Sequence, residues 1–204
     1  VQYHKSLEIK IRVLGQDSPD AAASYNNIGV VYQEQGKYEE ALVQYHKSLE
    51  IDIRVHGQDS LNVATSYNNI GGVYHAQGKY EEALVQHHKS LEIRIRVLGQ
   101  DSLDVAASYN NIGNVYQAQG KYEEALVQHH KSLEIKSRVL GQEHPAVADS
   151  KYNMALLYKT RNEMDTAREL FLECEKIYSK VLGPGHSKTV NAALLASQCV
   201  QESV

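Results

Sequence analysis

HGQDSLNVATSYNNIGGVYHAQGKYEEALVQHHKSLEIRIRV, residues 56–97, is followed directly by LGQDSLDVAASYNNIGNVYQAQGKYEEALVQHHKSLEIKSRV, residues 98–139, and the two stretches differ at only seven positions. Their opening pentapeptides, His56-Gly57-Gln58-Asp59-Ser60 and Leu98-Gly99-Gln100-Asp101-Ser102, occur upstream as Leu14-Gly15-Gln16-Asp17-Ser18. They return, altered, as Leu140-Gly141-Gln142-Glu143-His144. The starts fall at 14, 56, 98 and 140, a constant step of 42 residues. A fixed period of this length marks an array whose units bury their apolar faces against one another. The unit at 140 keeps the skeleton but has diverged, and residues 1–13 repeat most of 43–55. The chain therefore opens mid-unit and, with no initiator Met, reads as a piece of a longer array. Copying also explains 14 Tyr beside one Phe and no Trp.

Within a unit the apolar period is helical. Ala22, Tyr25, Ile28, Gly29 and Tyr32 fall at steps of three and four, which predicts a first helix over about 19–35. Asp17 or Ser18 suits its N-cap and Pro19 its first turn. Tyr38, Ala41, Leu42, Tyr45, Leu49 and Ile53 predict a second helix over about 38–55, with Glu39 and Glu40 placed favourably against the helix dipole. Gly36 and Gly57 end the two helices, and Asn162 stands for Gly in the diverged unit. Gly29, Gly71 and Gly113 lie mid-helix, where Gly costs about 1 kcal/mol against Ala. Their recurrence predicts close helix approach, to Ala41, Ala83 and Ala125. With a closing helix at about 187–202, the count is ten helices. The expected organisation is a single repeat domain over 1–204: the second helix of a truncated repeat (1–13), near-identical repeats at 14–55, 56–97 and 98–139, a diverged repeat at 140–182, and a C-terminal capping helix in 183–204.

Composition removes several function classes. Hydrophobic content of 42% with 23% charged residues supplies a core. No apolar run approaches a membrane span. A net charge of −4 argues against nucleic-acid binding, which needs a basic face. Cys174 and Cys199 make neither a metal spacing nor a disulfide framework, so they read as free thiols of a cytoplasmic protein. Cys174 is expected in the core and Cys199 partly exposed.

The pattern Tyr25-x-Asn27-Ile28-Gly29-x-x-Tyr32-x-x-Gln35-Gly36-x-Tyr38-x-x-Ala41 resembles the tetratricopeptide repeat, with Tyr in place of the usual Trp. The 42-residue period, with Leu-Gly-x-Asp/Glu-x-Pro at the junction, is similar to the longer variety found in kinesin light chains and in arrays of large signalling ATPases. The resemblance covers essentially the whole chain. It implies an all-α, right-handed superhelical solenoid of antiparallel helix hairpins, with first helices lining a concave groove.

Carrying the family's groove positions onto this chain gives five columns. They are Ala23, Thr65, Ala107, Asp149; Asn26, Asn68, Asn110, Tyr152; Asn27, Asn69, Asn111, Asn153; Val30, Gly72, Asn114, Leu156; and Gln33, His75, Gln117, Lys159. Asn is a poor helix former, so its repetition inside helices calls for a reason. A carboxamide both donates and accepts, matching the alternating donors and acceptors of an extended main chain. The expected peptide-binding residues are therefore Asn26, Asn27, Asn68, Asn69, Asn110, Asn111, Asn114, Asn153, Gln33, His75 and Gln117. For the Asn27 column, bonding between neighbouring helices is an equal alternative. Few cations line these columns, which disfavours acidic ligands and points to a neutral or mildly apolar segment. Net hydrogen bonds of about 1 kcal/mol each, less the cost of ordering a peptide, imply roughly micromolar binding.

The expected function is a non-catalytic protein-interaction scaffold, a kinesin-light-chain-like cargo or adaptor module. The alternatives are a structural or self-assembly module stacking head to tail, or the sensor arm of a larger signalling ATPase. No nucleophile–base set, P-loop or dinucleotide fingerprint appears, so neither enzyme activity nor a cofactor is expected. The pairs His87-His88 and His129-His130 point about 100° apart on a helix and cannot share one metal ion. His87 and His129 replace Tyr45 at a packing position, so loosening on protonation is expected.

Overall fold

A computed structural model describes residues 2–201, with side chains for 7–200. Among the described residues all regular structure is helical, in ten helices: α1 (Gln2–Leu14), α2 (Pro19–Glu34), α3 (Tyr38–His56), α4 (Leu61–Ala76), α5 (Tyr80–Leu98), α6 (Leu103–Ala118), α7 (Tyr122–Leu140), α8 (Pro145–Thr160), α9 (Met164–Leu182) and α10 (Ser187–Gln201). Residues 1 and 202–204, the ends of the expected domain and closing helix, lie outside the described residues. The chain falls into two compact units, Val1–Gly99 and Gln100–Val204. In the first, α2 with α3 and α4 with α5 form hairpins, α1 packs on α2, and α3 packs on α4. In the second, α6 with α7 and α8 with α9 form hairpins, α7 packs on α8, and α10 on α9.

The boundaries follow from local chemistry. Ser18, Ser60 and Ser102 cap α2, α4 and α6 through their side-chain oxygens, and His144 caps α8 through Nδ1. Each hairpin turn needs a left-handed residue. Gly36, Gly78 and Gly120 take φ of 71–74°, and Asn162 takes 64° in the diverged repeat. The turn then closes by a bond from the Lys37, Lys79, Lys121 or Glu163 amide to the Tyr32, Tyr74, Tyr116 or Tyr158 carbonyl.

The predicted stripes form the core. Ala22, Tyr25 and Ile28 of α2 and Ala41, Leu42, Tyr45 and Leu49 of α3 are buried, as are their copies Ala64, Ile70, Ala83 and Leu84. Lys47, Lys89 and Lys131 lie 5.1–5.4 Å over the rings of Tyr25, Tyr67 and Tyr109, so each second helix also touches its partner through cation–π contact. Arg54, Arg96, Arg138 and Lys180 pair with Asp17, Asp59, Asp101 and Glu143, tying the end of each second helix to the loop that opens its repeat. These pairs are exposed, so they set register more than stability.

Two expectations are corrected. The mid-helix glycines do not make room for alanines. A Cβ on Gly29 would stand 2.7 Å from the Tyr45 ring, and one on Gly71 or Gly113 would stand 2.9 Å or 2.7 Å from the rings of His87 or His129. The ring occupies the space a Cβ would need, which is why the glycine recurs. In the diverged repeat Ala155 stands in the glycine's place and Phe171 in the ring's, and both are fully buried. Cys199 is buried rather than partly exposed, because it packs with Ala155, Ala167, Phe171 and Ala196 in the α8–α10 core.

Candidate functional site

The sequence-predicted amides all lie on first helices: Asn26, Asn27 and Gln33 on α2, Asn68, Asn69 and His75 on α4, Asn110, Asn111, Asn114 and Gln117 on α6, and Asn153 on α8. Their states differ. Asn69 Nδ2 donates to Asn26 Oδ1 at 2.8 Å, so one member of the Asn27 column holds the neighbouring first helix. Asn27, Asn114 and Asn153 are exposed and Asn110 is half-buried. None of these four makes a side-chain hydrogen bond among the described residues. Gln33 points back into its hairpin, where its Oε1 accepts from the Tyr45 hydroxyl at 2.9 Å. Its copy Gln117 is exposed, and the ring of His75, half-buried, lies 5.9 Å from that of Tyr80.

The α2 and α4 helices frame a cleft of about 180 Å³. Ala23 and Asn26 form one wall, Thr65 and Ser66 the other, and Ser48 and Asp52 of α3 the floor. Sequence reasoning missed this floor. The position occupied by Asp52 holds Lys10, Arg94 and Lys136 in three other copies and Tyr178 in the diverged one. The change alters the local bonding. Lys10 Nζ donates to Ser24 Oγ at 3.1 Å and Lys136 Nζ to Ser150 Oγ at 2.8 Å. Opposite Asp52, the equivalent Ser66 hydroxyl instead donates to the carboxylate, at 3.4 Å. Ser48 lies 3.4 Å from the same oxygen, Oδ2, but its proton has a better acceptor in the Ala22 carbonyl at 2.9 Å. Asp52 is only 6% exposed. Burial pushes its carboxyl above the usual range, against the opposing pull of Ser48, His56 and Ser66.

A second cleft, of about 400 Å³, lies among α8, α9 and α10 and is lined by Asp149, Tyr152, Asn153, Tyr178, Lys188 and Asn191. Here the carboxylate is satisfied from within: Asp149 Oδ1 accepts from the Tyr178 hydroxyl and from Lys188 Nζ, both at 2.7 Å. Burial, together with that acceptor, raises the Tyr178 phenol well above its ordinary value.

The remaining reactive groups are placed in packing roles. Cys174 occupies the serine position of Ser48, and its Sγ lies 3.2 Å from the Ala148 carbonyl as Ser48 bonds Ala22. Burial pushes its thiol up to about 12, so it is a poor nucleophile. Glu39 and Glu123, in the first turns of second helices, accept from Gln77 and Arg161 of the next hairpins, each at 2.9 Å. No group of three His, Cys, Asp or Glu among the described residues is placed to hold a metal ion. No helix among them is long and apolar enough to cross a membrane.

Paired helices closed by a left-handed turn, with a Tyr before each turn and a small residue facing each ring, are what the tetratricopeptide pattern demands, and that family's profile matches residues 2–54, 20–96, 62–127 and 104–180. The chain belongs to the tetratricopeptide repeat family. This tetratricopeptide array shares its all-α solenoid fold with solved structures. BtubC (BKLC) from P. vanneervenii superposes with a TM-score of 0.83 at 17% identity, covering 99% of this chain and 82% of that one. A Podosopora anserina protein named for kinesin light chain, with nearly identical TPR-like repeats, gives 0.78 at 22% identity over 91% of this chain and 88% of that one. A point variant of the same protein gives 0.77 at 21% identity, with 91% and 87% covered. Comparison with curated protein sequences returns no match.

Proposed function

We propose that this tetratricopeptide array is a non-catalytic interaction module that holds an extended peptide segment along the amide-bearing face of its first helices, in the manner of a cargo or adaptor domain. The observation that carries the reading is the set of uncommitted carboxamides. Asn27 on α2, Asn110 and Asn114 on α6, and Asn153 on α8 lie on first helices, α6 and α8 being consecutive first helices of the second unit, and none makes a side-chain hydrogen bond among the described residues. An amide at such a position costs helix propensity, and a guest main chain supplies the donors and acceptors that offset it. The Asn69–Asn26 bond fits the same reading, since it fixes the spacing of two first helices and so the spacing of the amides they carry.

The test is a triple variant, Asn27→Ala, Asn110→Ala and Asn153→Ala. Peptides selected from a random display library on the unaltered chain are expected to lose at least tenfold in affinity for it, with the melting temperature unchanged or raised. Undiminished affinity overturns the reading.

A further inference from the structure

The geometry points to the cleft between α2 and α4 as a side-chain subsite for one basic residue, Lys or Arg, of an extended peptide, with the Asp52 carboxylate as its counter-ion. The inference rests on the peptide-groove reading above and adds a side-chain preference to it.

Three observations carry it. First, Asp52 is more than nine-tenths buried yet makes no ion pair among the described residues. Its one hydroxyl donor is Ser66, at 3.4 Å from Oδ2, since Ser48 stands at the same distance but gives its proton to Ala22. Oδ1 accepts from no described residue, although the carboxylate lies on the floor of an open cleft. A buried carboxylate so poorly supplied is costly unless a cation reaches it. Of the cations nearby, Arg54 pairs with Asp17, Lys47 with the Tyr25 ring, and Lys10 of α1 with Ser24 and Asp20, while exposed His56, one turn on in α3, acts on the carboxylate without forming an ion pair with it.

Second, the repeats supply their own control. The corresponding residue is a cation in the copies at Lys10, Arg94 and Lys136, and where Lys10 and Lys136 stand the facing serine oxygen accepts from the ammonium. The scaffold thus accommodates a base at this position in three copies and a tyrosine, Tyr178, in the diverged one, and Asp52 is the one acid in the column.

Third, the corresponding cleft of the second unit holds a lysine against a carboxylate, there the half-exposed Asp149, with Tyr178 at the position of Asp52. In the α8–α10 cleft Lys188 Nζ sits 2.7 Å from Asp149 Oδ1, beside the Tyr178 ring. The chain's own ammonium fills there what the Asp52 cleft leaves open. At about 180 Å³ the Asp52 cleft is smaller than the roughly 300 Å³ from which pockets take whole small molecules, and suits a single side chain. The amide oxygen of Asn62 and the hydroxyl oxygen of Thr65, both lining it, are further acceptors for the donors of an ammonium or guanidinium.

The experiment uses the full chain, labelled with ¹⁵N, and short capped Ser/Ala peptides carrying one central Lys, norleucine or Glu, with capped lysine amide as a second probe. The variants are Asp52→Asn, which keeps the shape, and Asp52→Lys, which copies a residue the other repeats already carry and so preserves folding. The Lys peptide is expected to shift the Ser48, Asp52 and Ser66 resonances, to bind at least tenfold more tightly than the norleucine peptide, and to lose that advantage in both variants. The Glu peptide is expected to bind no better than norleucine. Equal binding of the Lys and norleucine peptides, or a Lys preference that survives both variants, overturns the subsite and leaves the peptide-groove reading standing. Capped lysine amide shifting these resonances, with no peptide binding, upholds the subsite and overturns the groove. No response to any probe overturns the subsite.

Discussion

Gly71 and Gly72 are neighbours in one helix with opposite constraints. A Cβ on Gly71 would lie 2.9 Å from Cε1 of the buried His87 ring, whereas one on Gly72 would meet only Gln33 Nε2, at an ordinary 3.6 Å. Gly71→Ala is therefore expected to destabilise the chain by about 1–3 kcal/mol through overpacking. Gly72→Ala is expected to stabilise it by up to about 1 kcal/mol through helix propensity. Urea unfolding of both variants checks the pair. Equal effects would show that the ring contact does not fix the glycine. The rings themselves are unequal in bonding. Tyr45 finds Gln33 across its hairpin, while His87 Nδ1 and His129 Nε2 are buried without a hydrogen-bond partner. That residual cost sits in two of the four copies, and it has a consequence at larger scale.

At the scale of elements, the turns between hairpin helices decide the register of each pair. Gly120 adopts φ of 74° with nothing within 4 Å of its would-be Cβ, so Gly120→Ala tests the backbone conformation alone. The expected loss is about 1–2 kcal/mol, the cost of a left-handed L-residue. At Asn162, with φ of 64°, Asn162→Gly is expected to raise the melting temperature slightly. A Gly120→Ala variant as stable as the parent would show that the turn relaxes out of the left-handed region. These elements were legible in the sequence because their determinants are local: a stripe at helical spacing, a serine cap, a glycine that ends the turn. The candidate site was legible only as far as local rules reach. The columns placed the amides on first helices, but not that Asn69 donates to Asn26, because that bond joins residues 43 apart and depends on how two helices approach. The glycine–ring contacts were misassigned to alanines for the same reason. The Asp52 floor was missed because a single acid in a column of Lys10, Arg94, Lys136 and Tyr178 carries no periodic signal and acquires meaning only when the cleft above it is known.

For the molecule as a whole, array stability is close to a sum of repeat and neighbour terms, so two buried histidines add to a global pH dependence. Burial pushes His87 from 6.5 down to about 4, with His75, Arg94 and His88 nearby acting in the same direction. Burial likewise pushes His129 down to about 4, aided by Lys136 and His130. The folded state thus holds both rings neutral, while the unfolded chain takes up protons as pH falls through 6.5. Their contribution to stability is complete above pH 6.5, declines between 6.5 and about 4, and changes no further below that. By pH 5.5 each histidine is expected to have withdrawn roughly 1.4 kcal/mol. Asp52 titrates in the opposite sense, because its raised value means the folded carboxyl takes its proton more readily. A difference measurement removes it. The variant His87→Tyr with His129→Tyr copies the Tyr45–Gly29 pairing onto Gly71 and Gly113, and a buried tyrosine does not titrate in this range, Tyr45 itself being pushed up to about 12. Unfolding free energies of parent and variant at pH 7.5 and 5.5 are expected to show the parent losing roughly 3 kcal/mol more than the variant. Equal losses would mean that the rings gain their protons without leaving the core, and would assign the acid sensitivity of the array to its carboxylates instead.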